Sequence, residues 1–162
     1  MTGETNEPKV QTEADRLDLA ARVAERVKIH RVMLARCNSD RTLDEDLYEV
    51  AIGHGDLWVS IDVVDVNLDV DRQKNRFCVR PIFTLTANKN SPDGAALNVL
   101  SIEATFALIY SVESLDEFED ASLIAFAWTN GVFNAWPYWR EFVQSTVSRM
   151  GLPAITIPVF RV

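Results

Sequence analysis

The residues most capable of chemistry in this 162-residue chain are sparse and poorly spaced for it. Asp65-Val66-Asn67-Leu68-Asp69 sets a carboxylate or amide at every second position, as the opening of a calcium-binding loop does. Such a loop needs glycine at its sixth position for a sharp turn and a bidentate glutamate at its twelfth. Those positions hold Val70 and Arg76, and a valine-rich run favours extended backbone, so the better reading is the wet face of a β-strand. His30 and His54 are the only histidines, and neither has a Cys, His or carboxylate at zinc-site spacing. His54, between Gly53 and Gly55, reads as a loop residue rather than a base. Nucleophilic catalysis would need a Ser or Cys with a base and an orienting group, and no nucleophile-elbow or phosphate-loop motif is present. Cys37 and Cys78 fall in strand-like segments and read as reduced thiols. The expectation is no catalytic residue, no cofactor and no metal.

What the sequence does carry is bulk charge and aromatic surface. The formal net charge of −8 disfavours nucleic acid, whose phosphates need Lys and Arg, and repels anionic membranes. The same charge attracts basic polypeptides. No apolar run approaches the ~18 residues of a membrane span. The N-terminus lacks a basic segment followed by an apolar one, so no signal peptide is read, and the expected location is the cytoplasm. Tyr48, Trp58, Phe77, Phe83 and Phe160 are candidates to line an exposed apolar groove. Trp58 leads, because it sits where a long connection meets a strand. Each of them taken singly reads better as an ordinary core residue.

The elements that must position these groups follow from periodicity. Residues 1–11 are polar and read as a disordered tail, leaving 12–162 as one domain. Thr12 to Glu25 reads as a short helix, with Leu17, Ala20, Ala21, Ala24 and Val27 at helical spacing. A first strand puts Val27, Ile29, Met33, Ala35 and Cys37 on one face and Val32 and Leu34 on the other. Roughly twenty residues then separate it from Trp58, too many for a hairpin, so the first two strands need not be neighbours. Trp58–Asp71 is the second strand: Val64, Val66, Leu68 and Val70 alternate with Asp65, Asn67, Asp69 and Asp71. Ile61 and Val63 are out of phase with that set, which places a bulge near Val63-Val64. The third strand presents Phe77, Val79, Phe83 and Leu85 on one face, with a disturbance at Pro81. The fourth aligns Leu100, Ile102, Ala104, Phe106, Leu108, Tyr110 and Val112. Ser114-Leu115-Asp116-Glu117 reads as a capping box opening a helix whose face is Leu115, Phe118, Ala121, Ser122, Ala125 and Trp128. Four long strands followed by helices give an α+β fold with an antiparallel sheet.

The most distinctive stretch comes last. Asn130-Gly131 reads as a turn, Asn134 as a cap, and Pro137 as tolerated in the first turn of a helix that Gly151 and Pro153 end. That helix carries Trp136, Tyr138, Trp139 and Phe142, spread beyond one ~100° stripe. A helix apolar on more than one side must be covered on more than one side, so these four are expected at a subunit interface. Trp139→Asp is then expected to split an oligomer.

Trp136-Pro137-Tyr138-Trp139-Arg140-Glu141, Ser148-Arg149-Met150-Gly151-Leu152-Pro153 and Ile155-Thr156-Ile157-Pro158 together resemble the corresponding segment of the SecB export chaperones. That family reads Phe-Pro-Tyr-x-Arg-Glu, Ser-Arg-Gly, a following Pro, and an apolar stretch closed by Pro. The motifs cover about a fifth of the chain, and the strand-then-helix order extends the resemblance over most of it. The short N-terminal helix is an addition. Longer members continue into a second long helix and an acidic tail, whereas this sequence runs to Val162, so the resemblance is to a divergent member. It implies a four-stranded sheet with a crossover loop and a homotetramer built as a dimer of dimers. It implies ATP-independent holding of unfolded preproteins for export, with the SecA motor as partner, or of a dedicated client such as an antitoxin. The competing readings are a structural or adaptor protein of the same fold and an enzyme, such as a hotdog-type thioesterase, with an acid hidden in the fold.

Overall fold

The structure is a computed structural model and describes residues 12–41, 58–90 and 93–160; the expected 1–11 tail, Tyr48 and His54 lie outside the described residues. In chain order come helix α1 (Glu13–Ala24), strands β1 (Lys28–Arg41), β2 (Trp58–Asp71), β3 (Arg76–Asn90) and β4 (Ala96–Ser111), helix α2 (Asp120–Phe126), a π-helical segment (Ala127–Gly131) and helix α3 (Val132–Arg149). The strands form one antiparallel sheet in the order β1-β4-β3-β2, so β1 and β2 are its two edges and not neighbours.

The α1 helix starts on a capping box. The Asp15 N–H donates to Thr12 Oγ1 at 3.2 Å, and the Thr12 N–H donates to the Asp15 carboxylate at 3.0 Å. This pair satisfies N–H groups that have no partner inside a helix. Ala20 and Val23 then bury against α2 and the π-helical segment rather than against the sheet.

In β3 and β4 the alternation holds as read. Phe77, Val79, Phe83, Leu85 and, opposite them, Leu100, Ile102, Ala104, Phe106, Leu108 and Tyr110 are buried beneath the helices. Pro81 falls where the ladder to β4 lacks a pair, between Val79↔Leu108 and Ile82↔Thr105. The bulge in β2 lies where the phase break placed it, between Val63 and Asp65, leaving Val64 as the extra residue, 58% exposed. One added residue inverts the alternation. Ile61 and Val63 before it, and Val66, Leu68 and Val70 after it, therefore share the helix-facing side.

The reading of β1 needs correction for the same reason. Register shifts between Ile29 and Arg31 and between Leu34 and Arg36 reverse the phase twice. Ile29, Val32, Leu34 and Cys37, opposite Tyr110, Leu108, Phe106 and Ala104, share the helix-facing side, and Met33 lies on the other.

The helical layer departs furthest from expectation. Ser114 makes no side-chain cap; the Leu115 N–H donates instead to Asn75 Oδ1 at 3.0 Å, and residues Leu115–Glu117 form only a 3₁₀ turn. Asn130-Gly131 is not a turn. Gly131 has φ −61°, and α2, the π-helical segment and α3 run on as one helical stretch. The glycine serves close approach, since a Cβ there would lie 2.7 Å from Val79 Cγ1 on β3. Thr129 Oγ1 donates back to the Ala125 carbonyl at 2.8 Å and holds the wide turn. Asn134 is therefore inside a helix, where its Nδ2 donates to the Tyr110 hydroxyl at 3.0 Å, and Pro137 is interior too. Burial pushes the Tyr110 hydroxyl up to about 12.

The end of α3 does follow the sequence. Gly151, at φ +69°, donates to the Ser148 carbonyl and Leu152 to that of Val147, the paired bonds of a Schellman stop. The chain then returns along the helix. Ile157 is fully buried, and the Trp136 indole N–H donates to the Pro158 carbonyl at 2.8 Å.

Candidate functional site

The helices cover the middle of the sheet and leave its edges. The α3 helix lies over β4 and β3, and the π-helical segment over β3 and β2. Of the four aromatic side chains expected between subunits, the two tryptophans belong to the core of the chain itself. Trp139 is 0% exposed and stacks on Phe83 with centroids 5.4 Å apart, and Trp136 meets the same ring edge-on at 5.7 Å. Trp139→Asp would therefore bury a charge in a packed core rather than divide subunits. Tyr138 is 47% exposed, and Phe142 is half-buried, its ring edge-on to Phe106.

The groove candidates sort the same way. Phe77 and Phe83 are interior, held by ring contacts with Tyr110, Phe126 and the tryptophans. A long aromatic at an alternating strand position opposite apolar partners is taken up by its own core first. Phe160 is half-buried against Trp136. Trp58 is exposed, but it pairs with Asn88 and so shares the sheet face turned away from the helices.

Two apolar flanks remain open. Along β1, Ile29 (49% exposed) and Leu34 (44%) stand on the helix-facing side with no helix above them, and Leu34 pairs with the Phe106 that Tyr138 and Phe142 touch. Along β2, Leu68 and Val70 form one hollow with Ile124 of α2, and Ile124 is 52% exposed. Trp128, read on the inward face of this helix, is 45% exposed, and periodicity also sets it with Ile124, four residues earlier. Only the packing shows that this face is not the buried one.

On the sheet face away from the helices the two edges carry opposite charge. Lys28, Arg31 and Arg36 lie along β1, and Asp62, Asp65, Asp69 and Asp71 along β2. Asp69 accepts from the Arg80 guanidinium at 2.5 Å, which holds that group still more firmly protonated. Asp71 meets Lys74 at 3.2 Å, and the Lys74 backbone N–H, more than its side chain, holds the Asp71 carboxyl below its ordinary value. Asp62 and Asp65 form no ion pair among the described residues.

Among the described residues no group of three or more His, Cys, Asp or Glu could hold a metal. His30 Nε2 lies 2.6 Å from Ser111 Oγ at an exposed position. Cys78 sits beside Arg80, and burial pushes its thiol up, away from nucleophilic character. No described helix is long and apolar enough to cross a membrane.

A four-stranded sheet in this order, backed by a long aromatic helix that lies along it, is a SecB-like architecture, and the chain is SecB-like. It matches the Mycobacterium tuberculosis Rv1957 SecB-like chaperone, solved in complex with a ChAD peptide from the Rv1956 HigA1 antitoxin, with a TM-score of 0.74 and 25% identity over 89% of this chain and 97% of that one. A protein of unknown function from Streptococcus agalactiae aligns at 9% identity over 82% of this chain and 96% of that one with a TM-score of 0.36, too distant in fold to bear on the architecture. No protein-family model and no curated protein matches the sequence.

Proposed function

We propose that the chain is a cytoplasmic, ATP-independent holdase that binds unfolded or non-native polypeptides. The observation that carries this reading is the fold shared with a SecB-like chaperone that was solved with an antitoxin peptide bound. The open apolar flanks support it, because an exposed patch rimmed by charge is what a transient polypeptide ligand needs. A ligand-binding protein of this kind acts by mass action: it withdraws unfolded chains from aggregation without a catalytic step. A dedicated client such as an antitoxin, or preproteins passed to the SecA motor, would meet the same surfaces.

The assembly in this reading is a dimer of dimers. Its interface falls to Ile29, Leu34, Tyr138 and Phe142 on the β1 flank in place of the buried tryptophans. Trp58 remains a contact for clients.

The test dilutes an aggregation-prone client from denaturant into increasing amounts of the purified protein without nucleotide. Near-stoichiometric suppression of light scattering is the expected result. No suppression at several-fold excess, from a folded oligomer, would sink the holdase reading.

A further inference from the structure

We propose that the sheet face turned away from the helices is a contact between two copies of this chain, laid face to face about a twofold axis parallel to the strands. The contact is separate from the β1 flank and does not depend on the chaperone reading.

Charge on this face is matched row by row. Straight across the strand pairing, Lys28 leads through Ser111 and Arg76 to Asp71, and Arg31 through Ile109 and Cys78 to Asp69. Arg36 leads through Thr105 and Ile82 to Asp65. Each of these cations on β1 therefore shares a row with an acid on β2. A twofold axis along the strands at mid-sheet, between β4 and β3, reverses every row. It would set the Asp71, Asp69 and Asp65 of one copy over the Lys28, Arg31 and Arg36 of the other, and the converse. A twofold axis across the strands would set basic edge on basic edge instead. Asp69 and Asp71 already meet Arg80 and Lys74, whereas Arg36 and Asp65 form no ion pair among the described residues, so the third row is free at both ends. The middle of the face is largely apolar, with Ala107 beside Ile109 on β4 and Cys78 and Ile82 on β3, so the surface has an apolar centre and a charged rim. Sheets laid face to face keep their strands within about 30° of each other, which this axis allows. The chain as a whole carries −8, so two copies repel unless the contact matches opposite signs locally, as these rows do. An edge-to-edge contact could match the same charges, but it needs an unbroken ladder, and β1 has two register shifts and β2 a bulge.

The test is analytical ultracentrifugation of the full chain carrying Leu34→Asp and Tyr138→Asp, which alter the β1 flank and α3 and leave this face intact. Over a concentration series the mass should double in a single step. Arg36→Asp or Asp65→Arg, added singly, should weaken that step about tenfold, because the twofold axis repeats each clash. Both side chains are exposed, so neither change disturbs the core. The two changes move the net charge in opposite directions, so a general charge effect cannot weaken association in both. Added together they restore opposite signs along the row, and the association should return to within about threefold of its starting strength. The face-to-face contact is overturned by any of four results: no doubling, a single change without effect, no rescue by the pair, or an open series of ever larger species. That last result is the signature of a head-to-tail edge contact, which does not close.

Discussion

The two edges of the sheet are built from the same device and finished in opposite ways. Both β1 and β2 are fourteen residues long, unpaired on their outer side among the described residues, and apolar toward the helices. On the other face β1 is basic and β2 acidic. On β1 the apolar row continues into exposed aromatic surface on α3, the kind of wide patch a second copy covers. On β2 it runs into an open hollow beside α2, lined by Leu68, Val70 and Ile124 and rimmed by Asp71, Arg72, Gln73 and Asp120. The helical layer lies off centre over this sheet, so its coverage, and not strand composition alone, makes the two edges differ.

The sharpest way to break this contrast is to remove what both edges share. Trp139→Ala empties the centre of the layer over Phe83 and should cost about 3–5 kcal/mol in denaturant unfolding, abolishing assembly and client binding together. Loss of assembly with unchanged unfolding would return Trp139 to the interface. Next, Leu34→Asp with Tyr138→Asp should lower the mass in multi-angle light scattering by at least half. Thermal stability of the resulting species should change little, since both side chains are already largely exposed. An unchanged mass would move the subunit contact away from β1. On the other edge, Ile124→Asp should weaken binding of an unfolded client about tenfold and leave the oligomer mass unaltered. If it split the oligomer instead, the two edges would have to exchange roles.

The smallest effect is acid dependence. The Asp71 carboxyl titrates below its ordinary value of 3.8 in the folded chain, so its contribution is present above the unfolded value and disappears as pH falls through the lower folded one. The protection factor of the Lys74 amide, which is its exchange rate divided into the intrinsic rate at the same pH, should therefore fall only below about pH 4 and stay constant between pH 5 and 8. A fall in protection already at pH 6 would point to a different group.

Much of this was legible beforehand. The buried rows of β3 and β4 alternate over enough residues that no other assignment buries them, and the single phase break in β2 placed its bulge near Val63-Val64, where it lies. The Gly151 stop carried its own chemistry. The helical layer was less legible, because Asn130-Gly131 permits a positive φ without requiring it, and the sequence does not show that Gly131 must lie against Val79. The aromatic candidates divide between core and surface for a related reason. Trp139 and Tyr138 are adjacent and alike in composition, yet one is sealed under Phe83 and the other faces out.

The sequence by itself determined the strands, the inward rows of β3 and β4, the alternation along β2 and the SecB-like order of elements, because each rests on period and spacing along a single segment. Only the tertiary structure decided which edge is basic and which acidic on the open face, and which aromatics remain at the surface. The two register shifts of β1 together restore its phase, and a helix's offset over a sheet depends on contacts between residues far apart in the chain, so neither can be read from local pattern.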